Sequence, residues 1–172
     1  MVSASGAGRA VVIADGHHPS PSPDGTEVAF VRLSPGGPLL LARDMHSGQE
    51  RVLVPSGRLP DLAFPRYSPD GERIAFMATS ASALYKSNGW VPLPTAALAH
   101  GILWNLWLVE RDGSGLRELS SVGADDASVC WSPDGSQLFV YGSTGARLVH
   151  AANGDVELLP FIAGFGATSW LP

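Results

Sequence analysis

His17 and His18 stand side by side in "ADGHHPS", and adjacent imidazoles could in principle hold a metal or relay a proton. On a strand, neighbouring side chains point to opposite faces, so one would face a central channel and the other would pack between sheets. The positions matching them in the other repeats are Ala63 and Phe64, then Ala127 and Ser128, which offer no further ligands. No metal site follows from the pair. Asp125 and Asp126 form a carboxylate pair that reads as a solvated entry loop at the rim of the same channel. Tyr85, Lys86, Trp90 and His100 fall within "SASALYKSNGWVPLPTAALAHG", at 80–101. Aromatic side chains on a loop are the usual anchors for a partner. The same stretch has a second reading, because "PTAALAHG" has helix-like composition with a glycine stop and could fold back as a lid.

Catalytic motifs are absent from the sequence. No serine has glycine two residues before it, so Gly-x-Ser-x-Gly is missing, and there is no His-Glu-x-x-His, calcium loop or Gly-rich phosphate loop. Cys130 is the one cysteine, which rules out an internal disulfide and a cysteine-based zinc site; beside Trp131 it reads as a buried core thiol. No catalytic residue, metal or cofactor is assigned.

The net charge is −5 and the eleven basic residues are scattered, which gives no support to nucleic-acid binding. No apolar run approaches the roughly 18 residues of a membrane span, so no membrane insertion is expected. The start "MVSASGAGRA" lacks an apolar h-region, so no signal peptide is visible in this chain, and 1–8 reads as a flexible N-terminus. Apolar residues make up 45% of the chain, enough for a core, while 20 glycines and 14 prolines divide it into many short elements.

Those elements repeat. Ser22-Pro23-Asp24-Gly25, Ser68-Pro69-Asp70-Gly71 and Ser132-Pro133-Asp134-Gly135 each precede an apolar run: "TEVAFVR", "ERIAFMA" and "SQLFVYG". Proline presets φ for the first central position of a turn, aspartate bonds the backbone two residues on, and glycine supplies the left-handed position before the next strand. The three aspartates are therefore scaffold groups. The serines are spaced by 46 and 64 residues, and removing 80–101 from the longer interval restores a period in the forties, that of a four-stranded propeller blade. The chain reads as all-β: one partial β-propeller over 9–172, with blades at about 17–56, 58–121 and 124–161, and an insertion at 80–101 in the second. Single strands of a fourth blade flank them. "GRAVVIADG" matches an outer strand, and 166–172 matches a final inner strand in which Trp170 aligns with Tyr67 and Trp131. Unit one departs from the pattern with Pro21 at that position.

"WSPDG" followed by an apolar strand and an "LWLV…DG" hairpin resembles the WD40-like (PD40) repeats of TolB-type β-propellers. Similar repeats form the propellers of prolyl-oligopeptidase-like serine peptidases. The resemblance implies a non-catalytic scaffold binding a protein or peptide at the channel mouth and the insertion. The alternative is the substrate-gating propeller of a peptidase whose catalytic domain is absent. The split fourth blade suggests a fragment of a larger propeller, or else a homo-oligomer in which arcs close a ring. The family also allows a periplasmic or extracytoplasmic setting if a signal lies upstream.

Overall fold

The computed structural model describes residues 13–79, 103–125, 127–160 and 170. Its strands form three antiparallel four-stranded sheets. Blade 1 comprises β1 (Gly16–Pro21), β2 (Glu27–Ser34), β3 (Gly37–Asp44) and β4 (Glu50–Val54). Blade 2 comprises β5 (Leu62–Tyr67), β6 (Arg73–Ala78), β7 (Trp104–Glu110) and β8 (Arg117–Ala124). Blade 3 comprises β9 (Ser128–Trp131), β10 (Gln137–Gly142), β11 (Gly145–His150) and β12 (Val156–Leu159). Each sheet is a simple meander whose first strand is innermost: β1 lies against β5, and β5 against β9. The result is an open propeller-like arc. Among the described residues no helix is long and apolar enough to cross a membrane.

The run "RIAFMA" shows why the middle strands are continuously apolar. Alternate residues of β6 serve different interfaces, and a strand covered on both faces has no need of polar positions. Ile74, Phe76 and Ala78 join Val31, Leu40, Val54 and Tyr67 in the core between blades 1 and 2. Ala75 and Met77 join Leu106, Val129, Leu138 and Val140 in the core between blades 2 and 3. Ile74, Phe76 and Met77 are fully buried, and each contributes about 1.5–3 kcal/mol of hydrophobic stabilisation.

The repeated tetrapeptide builds a column. In every copy the serine hydroxyl bonds the aspartate, and the aspartate accepts the N–H two residues on: Thr26 at 3.0 Å, Glu72 at 3.1 Å and Ser136 at 3.0 Å. These bonds, with that from Ser132 the largest, hold the Asp134 carboxyl down at about 2. The glycine of one blade then lies over the proline of the blade before it. A Cβ on Gly71 would sit 3.6 Å from Pro23, and one on Gly135 3.6 Å from Pro69. Gly71 has φ +77°, a conformation that costs an L-residue about 1–2 kcal/mol. Gly71→Ala is therefore expected to lower stability by about that amount in urea titration; an unchanged midpoint would contradict the turn assignment.

Aromatic residues at the ends of the inner strands reach back in the same direction. The Trp131 indole N–H donates to the Arg66 carbonyl at 3.0 Å, and the Arg73 guanidinium lies 5.1 Å from the Trp131 ring centre. Trp131→Phe drops the hydrogen bond and leaves a gap where the second ring stood in the core, so a loss of about 2 kcal/mol is expected by the same titration.

Candidate functional site

The arc has two ends. One carries the Ser-Pro-Asp-Gly turns and the outer hairpins. The other carries the links between blades and the β2–β3 and β10–β11 turns, and there the chain leaves β6 at Ala78 and rejoins β7 at Trp104. At this second end lies an open groove of about 400 Å³ between blades 1 and 2. His17, His18, Val31 and Leu33 line it from blade 1; Asp61, Leu62, Ala63, Phe64 and Trp104 line it from the next blade and its link.

The inner strands bulge at this point. Pairing between β1 and β2 shifts register from His17 to Ser20, and pairing between β5 and β6 shifts from Ala63 to Arg66. His18 and Phe64 occupy matching places and have φ of +52° and +55°, the only non-glycine residues described with positive φ. Their rings pack with centroids 4.3 Å apart. Bulky residues in that region are strained, and such strain is characteristic of sites where backbone geometry is held for a purpose. Both histidines are exposed at the groove, and the His18 ring crosses the blade boundary to pack on Phe64, while His17 lines the groove beside it. Partial burial, then the neighbouring His17 and Arg66, lower the His18 pKa; Asp61 opposes them.

Asp125 differs from its expected solvated setting as well. It is 4% exposed, because the turn after β10 folds over it: the Ser143 N–H donates to its carbonyl at 3.2 Å and the Ser143 hydroxyl to Oδ2 at 3.3 Å. Its partner Asp126 and the insertion residues Tyr85, Lys86, Trp90 and His100 lie outside the described residues. Cys130 is buried. Among the described residues no three His, Cys, Asp or Glu side chains are placed to hold a metal.

Sequence reasoning missed Asp61, although the repeat frame carries the signal. Seven residues before the motif serine, all three units have aspartate: Asp15, Asp61 and Asp125. Asp15 pairs with Arg32 Nε at 2.9 Å, and Asp125 is tucked under Ser143. The Asp61 carboxylate accepts the Leu62 N–H at 2.9 Å and faces the groove.

At the opposite end, Glu27 gathers an ionic cluster. It is 8% exposed, receives both Arg51 terminal nitrogens at 2.7 and 2.9 Å, Arg111 Nε at 3.1 Å, and the Tyr67 hydroxyl at 3.0 Å. Arg111 also bonds Asp24 and Thr26, and its carbonyl receives Arg51. The Arg51 hydrogen bonds lower the Glu27 pKa most, against burial; burial raises that of Tyr67. Every member is paired within the cluster, which makes it a strut between blades 1 and 2.

No family model matches the chain. Over 113 residues it is 32% identical to the Tol-Pal system protein TolB of Anaeromyxobacter dehalogenans, a match covering 66% of the chain and 21% of the relative. Among solved structures it superposes on TolB from Acinetobacter baumannii with a TM-score of 0.70 at 18% identity, over 96% of the chain and 38% of that protein. It superposes on acylaminoacyl peptidase from Pyrococcus horikoshii with a TM-score of 0.61 at 16% identity, over 88% of the chain and 25% of that protein. The match spans about a fifth of the length of the curated relatives. With its three Ser-Pro-Asp-Gly blades, this chain is a TolB-type β-propeller.

Proposed function

We propose that the chain is a non-catalytic scaffold, part of a longer propeller, that binds a protein partner at the groove end of blades 1 and 2. One observation carries this reading: strained His18 and Phe64 are held together at a groove whose rim includes Leu33, 67% exposed. Backbone strain and an exposed apolar side chain both cost stability, and a binding face is where such costs are retained. The matched relatives carry the name of the Tol-Pal system, so the partner proposed is the Pal component of the same organism, with an extracytoplasmic setting as part of the proposal.

The test is calorimetric titration with that Pal protein. Leu33→Glu is expected to weaken binding at least tenfold, whereas Val52→Glu, on the 50% exposed β4 edge, leaves it unchanged. Equal losses in both variants, or no binding by the unaltered chain, would overturn the assignment. The peptidase reading rests on likeness of fold alone and requires a hydrolase segment with Gly-x-Ser-x-Gly elsewhere in the parent protein.

A further inference from the structure

Asp15, Asp61 and Asp125 hold one position in the repeat, yet their carboxylates have different surroundings. Arg32 neutralises Asp15, and Ser143 covers Asp125. The Asp61 carboxylate accepts the Leu62 backbone N–H and, among the described residues, is bonded by no other side chain. It borders a groove whose other walls are mostly apolar, Val31, Leu33, Leu62, Ala63, Phe64 and Trp104, with His17 and His18 completing the side of blade 1. Phe64 and Trp104 are anchored from behind, since both pack on the core between blades 2 and 3. The nearby Arg66 guanidinium is half-buried and donates to the Pro65 carbonyl, so it is engaged with its own strand.

An apolar trough with aromatic walls and one carboxylate is complementary to a long alkyl stem ending in a cation. The stem covers apolar surface while the charge meets the carboxylate, and aromatic faces attract the same cation. We propose that this groove seats one basic side chain, Lys or Arg, of a partner polypeptide, with its stem against Leu33, Phe64 and Trp104 and its cation at Asp61. The proposal rests on the partner-binding reading above and specifies its chemistry.

The experiment is an NMR titration of the full chain with Nα-acetyl-lysine amide and Nα-acetyl-arginine amide, with the norleucine and glutamate amides as controls. Saturable shifts are expected at the Trp104 indole N–H and the Leu62 amide for the two basic compounds. Asp61→Asn keeps an oxygen for the Leu62 N–H and removes only the charge; it should weaken lysine-amide binding at least tenfold. Leu33→Ser alters an exposed side chain and should weaken it severalfold. The proposal is overturned if norleucine amide matches lysine amide, if Asp61→Asn binds as the unaltered chain does, or if none of the four compounds gives saturable shifts. A chain that binds Pal but ignores lysine amide keeps the broader reading and loses this one. Response to lysine amide without Pal binding does the reverse.

Discussion

Glu27→Ala lowers the stability of the chain by about 3 kcal/mol, the scale of breaking a mostly buried ion pair from one side. The loss exceeds that of an exposed salt bridge because three donors lose one acceptor together: Arg51 keeps the Arg111 carbonyl and Arg111 keeps Asp24 and Thr26, but the buried Tyr67 hydroxyl loses its partner. Arg51, Arg111 and the buried Tyr67 hydroxyl all converge on the one carboxylate, and two of the three come from blade 2. Urea titration gives the value, and a loss below about 1 kcal/mol would show the cluster to be no stronger than a surface pair. Acid should reproduce part of the effect. The Glu27 pKa is lowered from 4.5 in the folded chain. Its contribution is therefore fully present above 4.5, the unfolded value, and fades as pH falls through the folded one. Glu27→Gln mimics the protonated acid, so the stability gap between it and the unaltered chain should begin to narrow as pH falls through 4.5 and go on narrowing through the lower pKa of the folded chain.

Gly154→Ala costs still more, about 4 kcal/mol. Gly154 ends the β11–β12 turn with φ +78°, and its backbone presses on β8 of the preceding blade. An added Cβ would lie 2.0 Å from the Leu119 carbonyl oxygen and 3.1 Å from the carbonyl carbon. Backbone cannot rotate aside as a side-chain tip can, so the whole hairpin must lift from blade 2. The figure combines a left-handed penalty of about 1–3 kcal/mol with overpacking of about 1–3 kcal/mol. Gly25 is the control: φ is +69° there, but nothing stands within 4 Å of an added Cβ. Gly25→Ala should show the conformational cost alone. Equal losses at the two positions, measured in urea, would mean that the hairpin does not bear on Leu119 as described.

Much of the architecture is legible in the sequence because its signals are local. Ser-Pro-Asp-Gly spells a turn from four adjacent residues, and "RIAFMA" spells a strand covered on both faces. The site is less legible. Phe64 and His18 carry no mark of positive φ, which bulky residues rarely adopt, so period-two reasoning has no means of finding the bulge. The Glu27 cluster joins residues up to 87 positions apart, a distance no motif spans. Asp125 looked solvated because the residue that covers it, Ser143, arrives from another strand pair. The aspartate seven places before each motif serine was visible throughout, but only the surroundings separate Asp61 from its two counterparts.

The contacts between blades also have a direction in time. Gly71 and Gly135 rest on the preceding proline, Trp131 donates to Arg66, and Tyr67 donates to Glu27. Gly113 lies over Leu53 and Gly154 over Leu119. In each case the later blade supplies the group that docks and the earlier blade supplies the surface. During synthesis blades 2 and 3 thus each emerge after their template has been made, and the order of translation matches the order of docking. Blades 1 and 2 share a complete core before blade 3 leaves the ribosome, so a nascent chain needs no later sequence to cover Ile74 and Phe76. Circular permutation that places blade 3 first would keep the folded contacts while removing that schedule, leaving Val140 and Leu138 to wait for the surface that covers them.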